Sequence, residues 1–112
     1  MVEINTEQIE SIHVIRVTGD IDAGSSIHMD NALKSAQELG QTKIAIDLTN
    51  LAYISSAGLG VFISHIDEFN SKEIKLVLFG INETVQQVFE ILGLEKLISI
   101  TEKEEEAIES LG

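Results

Sequence analysis

The sequence predicts an α/β fold: a mixed, largely parallel sheet opened by an N-terminal hairpin, with alternating helices packed on it. Two observations predict this class. Two extended segments open the chain, separated only by Glu10-Ser11. After them, helical and extended segments alternate to the end, which indicates helical crossovers and parallel strands. The 112 residues contain no linker and no internal repeat, so we expect one domain over residues 1–112.

The opening strands are predicted at residues 2–9 and 12–19, because the second segment is rich in β-branched residues. Ser25-Ser26 can then cap a first helix, which Gly40 ends. The apolar positions expected on its buried face are Ile27, Ala32, Leu33, Ala36 and Leu39.

The middle of the chain predicts a strand at residues 43–48, a turn at Thr49-Asn50 and an extended segment at 51–54. A second helix is predicted over 57–71, since its apolar residues recur at helical spacing. The residues expected on its buried face are Leu59, Phe62, Ile63, Ile66 and Phe69.

The apolar run at 74–79 predicts a strand that is buried on both faces. Asn82 can cap a third helix, and Gly93 can end it. A short strand around 97–100 and an acidic helix over 102–111 complete the prediction. The apolar positions of the third helix are Val85, Val88, Phe89 and Leu92.

The net charge of −12 excludes several classes of partner. Seven basic residues among nineteen acids cannot form the basic surface that nucleic acids require, and an anionic membrane surface would repel the chain. A basic protein partner would be attracted. The N-terminus lacks the pattern of a signal peptide, and no apolar run approaches the roughly 20 residues that span a bilayer. We therefore expect a cytoplasmic protein without direct membrane insertion.

Enzyme activity is not expected from the residue patterns. Ser56 stands where a hydrolase nucleophile could stand, but Ile54 replaces the glycine that the nucleophile elbow requires. His65 lies nine residues further along the same predicted helix and cannot act as its base. The histidines lack the spacing of metal ligands and there is no cysteine, so no metal site is expected. Each histidine is predicted to be exposed or half-buried.

The start of the second helix is the most informative segment. Two glycines, Gly58 and Gly60, follow Ser55-Ser56 within one helical turn. Glycine in a helix costs about 1 kcal/mol relative to alanine, so a further requirement must outweigh helix propensity here. The close approach of another protein to Ser56 is such a requirement.

Three stretches of the sequence together form a recognisable pattern. They are Asp47-Leu48-Thr49 with Tyr53-Ile54-Ser55-Ser56-Ala57-Gly58-Leu59-Gly60-Val61-Phe62, then Val17-Thr18-Gly19-Asp20-Ile21-Asp22, and Val88-Phe89-Glu90-Ile91-Leu92-Gly93-Leu94. These stretches resemble the STAS domain of anti-sigma factor antagonists. In the family an aspartate directly precedes the phosphorylated serine. Ser56 corresponds to that serine, Ser55 replaces the aspartate, and Asp22 matches the family's aspartate near the phosphosite.

The resemblance implies partner switching. The unphosphorylated protein would bind an anti-sigma factor that is also an ATP-binding serine kinase. Phosphorylation of Ser56, or alternatively of Ser55, would break the complex, and a phosphatase would restore it. The chain itself would need no cofactor. The alternative is a STAS interaction module of a transporter or a signalling scaffold, without this switch.

The resemblance and the helix pattern together predict a partner-binding face beside Ser56. If the apolar face of the second helix is buried, its opposite side presents Ala57, Val61, Ser64 and Glu68, with Gly60 at the edge. Val61 is the apolar member of this face and is expected to contact the partner.

Overall fold

The computed structural model describes residues 2–112, so Met1 of the predicted domain lies outside the described residues. The sheet has five strands in the order β1-β2-β3-β4-β5. Only β1 and β2 are antiparallel, and the other neighbours are parallel, which confirms the predicted class. The strands are β1 Val2–Ile9, β2 Ile12–Ile21, β3 Lys43–Ile54, β4 Lys75–Phe79 and β5 Ser99–Thr101.

The helices follow from the order of the strands. Each parallel crossover moves one strand further in the same direction, and right-handed crossovers of this kind place their helices on one face of the sheet. The first three helices are crossovers, whereas the last follows β5. The helices are α1 Ser26–Glu38, α2 Ser56–Ser71, α3 Glu83–Ile91 and α4 Glu104–Leu111, with a short 3-10 turn at Leu94–Lys96.

Two apolar layers hold the sheet between the helices. The larger layer lies under α1, α2 and α3, where the Phe62 and Phe89 rings meet edge to face with centroids 6.2 Å apart. Full burial of one such side chain stabilises the fold by about 1.5–3 kcal/mol. The smaller layer lies under α4. It contains Ile12, Val14, Ala45, Val77, Phe79, Ala107 and Leu111.

One ion network fixes the start of α4 on this second face. Arg16, the only arginine of the sequence, lies 2.9 Å from Glu7, 2.9 Å from Asp47 and 2.6 Å from Glu104. These carboxylates, Glu104 first, raise the pKa of the Arg16 guanidinium above its usual range. The network therefore joins β1, β2 and β3 to the last helix.

Strand β3 differs from the prediction, because it continues through Thr49-Asn50, where a turn was expected. Arg16 pairs with Asp47, but Thr18 pairs with Asn50, so β3 absorbs an extra residue as a bulge. The Asp47 carboxylate accepts a hydrogen bond from the Thr49 N–H at 2.9 Å, which satisfies a backbone donor beside the bulge. The strand therefore continues through Thr49-Asn50, with a hydrogen bond to the Asp47 side chain, and the expected turn does not form.

Four apolar residues of the predicted helical faces are exposed instead. Ile27 on α1 is 52% exposed and Ile63 on α2 is 46% exposed. Leu39 and Leu92, which directly follow α1 and α3, are 70% and 52% exposed. Met29 of α1 was not among the predicted buried positions, but it is fully buried. Helical spacing alone makes the apolar face too wide, because each of these helices packs against the sheet along a narrower strip. The bounds also differ slightly: β2 runs two residues longer than predicted, and β5 begins two residues later.

Candidate functional site

The start of α2 carries the two candidate serines, and they play different parts. Ser55 has an extended backbone, and its side-chain oxygen accepts a hydrogen bond from the Gly58 N–H at 3.2 Å. Ser55 is therefore the N-cap of the helix. Ser56 is the first helical residue, and its side chain is exposed. Within residues 2–112 the Ser56 hydroxyl has no hydrogen-bond partner, so it is free to react or to contact another protein.

Packing within the protein explains the first of the two glycines of this segment but not the second. A Cβ atom on Gly58 would lie 2.7 Å from Ile21 Cγ2 and 2.8 Å from Ile54 Cγ1. Gly58 therefore lets the helix start pack closely against the ends of β2 and β3. A Cβ atom on Gly60 would meet nothing within 4 Å, and Gly60 is exposed. No contact within the described chain accounts for this second glycine.

Asp22 lies close to the candidate serines in the fold, because β2 and β3 pair up to their last residues. It directly follows Ile21, whose carbonyl oxygen accepts a hydrogen bond from the Ser55 N–H at 2.8 Å. The Asp22 carboxylate itself faces the start of α1. It accepts hydrogen bonds from the N–H and the hydroxyl of Ser25, both at 2.8 Å. The hydrogen bond from the Ser25 hydroxyl, and then that from its N–H, lower the pKa of Asp22.

The predicted partner face is exposed in all but one of its members. Ala57, Gly60 and Ser64 are exposed. Val61 is half-buried and packs against the main core, so the expectation that it stands on the exposed side is only partly correct. A large exposed side chain near Ser56 that the sequence analysis did not assign to this face is Tyr53, which is 54% exposed at the end of β3.

The prediction that each histidine is exposed or half-buried is wrong for two of the three. His13 is 7% exposed, and burial lowers its pKa. His65 is 4% exposed, and its Nε2 lies 2.7 Å from Asp30 Oδ1 of α1. Asp30 also binds Lys34 at 2.9 Å, and these two partners lower its pKa. The sequence could not show the His65–Asp30 pair, since 35 residues separate them.

This geometry argues against hydrolysis at Ser56. The nearest histidine in sequence, His65, is buried and bound to a carboxylate on α1, so it cannot accept a proton from the serine hydroxyl. The residues that the structure describes contain no cluster of metal-ligating side chains. No helix in the described part of the chain is long and apolar enough to cross a membrane.

An exposed serine at the first position of a helix suits a phosphate group. The first N–H groups of a helix lack partners within the helix, and their dipoles favour negative charge. At α2 the Gly58 N–H is already occupied by Ser55, while Ser56 and Ala57 precede it in the same turn. A phosphate on Ser56 would therefore lie beside backbone donors and in solvent, where the fold can accommodate it.

Comparison with known proteins identifies the family. The STAS domain matches residues 3–107. An anti-sigma-B factor antagonist of Listeria monocytogenes is 34% identical over 106 residues, which cover 94% of this chain and 93% of that protein. An anti-sigma factor antagonist from Mycobacterium paratuberculosis has the same fold, with a TM-score of 0.91 at 17% identity over 99% of this chain and 94% of that one. The Bacillus cell fate determinant SpoIIAA, solved in its phosphorylated form, superposes with a TM-score of 0.76 at 23% identity over 98% and 100% of the two chains. The resemblance read from the sequence is thus confirmed, and the chain belongs to the STAS domain family of bacterial anti-sigma factor antagonists, which are regulatory binding proteins and not enzymes.

Proposed function

We propose that this protein is a cytoplasmic anti-sigma factor antagonist, formed by a single STAS domain over residues 1–112, whose binding is switched by phosphorylation of Ser56. The observation that carries the proposal is the state of the Ser56 hydroxyl. It is exposed, it has no partner within the described residues, and it stands at the first position of α2. The names of its relatives supply the partner class: an anti-sigma factor. The kinase is that anti-sigma factor, which binds ATP, and a phosphatase reverses the reaction.

The small residues around Ser56 support close contact with such a partner. Ala57 and Gly60 lie on the exposed surface of α2 within one turn of Ser56, and neither carries a side chain that would hold another backbone away. Gly60 is not required by packing, since its Cβ position is open. The net charge of −12 would also accelerate the encounter with a basic partner surface.

A phosphate would oppose this contact for an electrostatic reason. It adds about −1.5 to −2 charges at neutral pH. In the free protein the charge remains in solvent beside the helix N-terminus, which favours it by about 0.3–1 kcal/mol. In the complex the same charge would be covered, and a buried charge without a partner costs several kcal/mol. The modification therefore weakens binding without unfolding the protein.

Ser55 is the less suitable acceptor, because its side-chain oxygen caps the helix. Phosphorylation there would have to replace the hydrogen bond to the Gly58 N–H. Ser55 is also half-buried, whereas Ser56 is exposed. The family's aspartate is replaced by serine at residue 55. A kinase could therefore recognise this site by Asp22 and by the free Ser56 hydroxyl.

The experiment is a calorimetric titration of the anti-sigma kinase from the same organism with the unphosphorylated and the phosphorylated protein. Mass spectrometry locates the phosphate. We expect phosphate on Ser56 and a loss of affinity of about 5- to 150-fold, the range of a typical coupling free energy. Ser56→Ala should bind but accept no phosphate. Ser71→Ala, at the other end of α2, serves as the matched control and should behave like the wild type. Equal affinities of the two forms, or a phosphate found far from α2, would contradict the switch and favour the STAS scaffold or transporter module.

A further inference from the structure

The outer edge of β1 is the longest stretch of unpaired backbone in the sheet. Strand β1 lies at one end of the strand order, so it has a neighbour only on one side. All eight of its residues pair with β2 without a register shift, from Val2 opposite Gly19 to Ile9 opposite Ile12. Neither a proline nor a bulge interrupts it. Proteins commonly use such devices to block the pairing of an edge with another chain.

The register identifies the groups that face outward. Ile9 and Ile12 flank a two-residue loop, and the residues that flank such a loop exchange backbone hydrogen bonds. Bonding then alternates along the strand, so the odd-numbered residues of β1 face β2. The backbone groups of the even-numbered residues point away from the sheet: Val2, Ile4, Thr6 and Gln8. They present four N–H donors and four carbonyl acceptors to any strand placed beside them.

A groove on the helical face continues from this edge. It has a volume of about 440 Å³ and runs between β1 and α1. Its apolar lining residues are Val2 and Ile4 of β1, Ala32 of α1 and Leu39, and its polar ones are Thr6, His13, His28, Asn31 and Ser35. Leu39 is 70% exposed, although it is large and apolar. An added strand would place alternate side chains in this groove and cover both Leu39 and the half-buried residues of β1.

The opposite face of the same edge is acidic. The side chains of Glu3 and Glu7 alternate with those in the groove, so they stand on the other side of the sheet, and both are exposed. Glu7 is bound by Arg16, whereas among residues 2–112 the carboxylate of Glu3 accepts a hydrogen bond only from the amide of Asn5. No lysine or arginine occurs in β1. An added strand therefore meets a groove of mixed character on one face, whose apolar part is formed by Val2, Ile4, Ala32 and Leu39, and negative charge on the other.

We propose that the edge of β1 is a second docking site, which adds one extended segment of a basic partner protein as a sixth strand. The segment alternates lysine or arginine, opposite the glutamates, with apolar residues that enter the groove. Backbone hydrogen bonds to β1 hold the segment, and the alternation gives specificity. A second copy of this chain is a poor occupant, because pairing centred on Asn5 would place Glu3 opposite Glu7 of the other copy, and both copies carry a charge of −12.

The probe is a capped eight-residue peptide of alternating lysine and valine, titrated into the full chain and followed by NMR. A peptide with four lysines followed by four valines has the same composition and controls for charge attraction alone. We expect the alternating peptide to bind at least fivefold more tightly than the block peptide, since only the alternating one matches the two faces of the edge. We also expect it to slow amide exchange at Ile4, Thr6 and Gln8.

Two variants test the mode of binding. Thr6→Pro removes an outward N–H but no hydrogen bond to β2, so it should abolish the slowed exchange and weaken binding while the protein remains folded. Glu3→Lys should weaken binding of the alternating peptide about fivefold or more, and Glu109→Lys on α4 makes the same charge change away from the edge and should have a smaller effect. Equal binding of the two peptides, or identical effects of Glu3→Lys and Glu109→Lys, would overturn the proposal even if Thr6→Pro fails to fold. Sedimentation that shows a dimer disrupted by Thr6→Pro would assign the edge to a second copy instead.

Discussion

A serine pair stands at the start of α1 and another at the start of α2, and the hydroxyl groups of Ser25 and Ser56 have opposite surroundings. Ser25, before α1, is only 8% exposed. Its Oγ accepts a hydrogen bond from the Asp22 N–H at 2.9 Å and lies 2.8 Å from Asp22 Oδ1 and 3.1 Å from Asp20 O. Ser56, at the start of α2, is exposed and has no side-chain hydrogen bond within residues 2–112.

The difference originates three residues upstream of each pair. Asp22 stands three residues before Ser25, so its carboxylate closes a turn with the Ser25 N–H and hydroxyl. Ala52 stands at the same offset before Ser55 and offers no acceptor. At α1 the Ser25 hydroxyl is therefore held by hydrogen bonds within the turn. At α2 one hydroxyl caps the helix and the next one is left for another molecule.

The largest effect expected from this comparison is the loss of stability in Ser25→Ala. The substitution leaves the Asp22 N–H without its acceptor and removes a buried hydroxyl, which should cost about 1–3 kcal/mol. The same deletion at Ser56→Ala should change stability by less than about 0.5 kcal/mol, since Ser56 is exposed. Urea unfolding of both variants measures the contrast. Equal losses in the two variants would contradict the division between a structural and a free serine.

Loss of the cap in Ser55→Ala should have the next largest effect. The Gly58 N–H loses its acceptor, and such a substitution costs about 1 kcal/mol. Ser55→Asp should retain the wild-type stability, because an aspartate is an equally good N-cap and its charge interacts favourably with the helix N-terminus. Thermal unfolding of the two variants, with Ser56→Ala as the reference, gives the order. If Ser56→Ala is the least stable of the three, then Ser56 is the cap.

Gly60→Ala should separate stability from binding at the same helix. Its Cβ would meet no other atom within 4 Å, so the variant should be more stable, by up to about 1 kcal/mol. If the partner approaches closely at this point, the added methyl group should weaken binding to the anti-sigma kinase. Gly58→Ala is the contrasting variant and should be destabilised by its contact with Ile21 and Ile54. A stabilised Gly60→Ala with unchanged affinity would place the contact elsewhere.

The smallest effect is the pH dependence that Asp22 contributes. Its pKa in the folded protein is lowered below the ordinary value of 3.8 by Ser25. Its contribution to stability is therefore present above that ordinary value and is lost as the pH falls through the folded one. Asp22→Asn should flatten the acid side of the stability profile as the pH falls below the ordinary pKa of 3.8. In the Ser25→Ala background the same substitution should have a smaller effect, because the hydrogen bond from the hydroxyl, the first cause of the shift, has gone while the one from the N–H of residue 25 remains.

The sequence was sufficient to predict the class of the fold, and it placed the candidate serines at a helix start, where the structure has Ser56 exposed. The alternation of segments predicted the parallel sheet, and the residues around Ser56 predicted an accessible helix start. Which serine caps α2 was not predicted, because Ser55 and Ser56 are equally good capping residues and only backbone geometry distinguishes them. Nor could helical spacing show that Ile63 is exposed, since that depends on how far the neighbouring helix reaches.

The buried polar contacts were the least predictable features. His65 and Asp30 lie on different helices, and a polar residue in sequence is first expected at the surface. The bulge in β3 depends on Asp47, whose side chain satisfies the Thr49 N–H, and a polar Thr-Asn pair is otherwise typical of a turn. Both cases arise because a tertiary or side-chain hydrogen bond overrides a local preference.

The order of the strands has a consequence for how the chain folds during synthesis. Each strand pairs with the one that precedes it in sequence, so every new strand that leaves the ribosome finds its neighbour already made. Hairpins form in microseconds, whereas translation of 112 residues takes on the order of ten seconds. The sheet can therefore grow from β1 onward while the rest is still being made. Helix α4 follows all five strands in sequence, so Val14, Ala45 and Phe79 stay uncovered until this helix has been made. Until α4 docks, this apolar face can associate with other chains and lead to aggregation. Docking of α4, which forms the Arg16–Glu104 contact, covers the face.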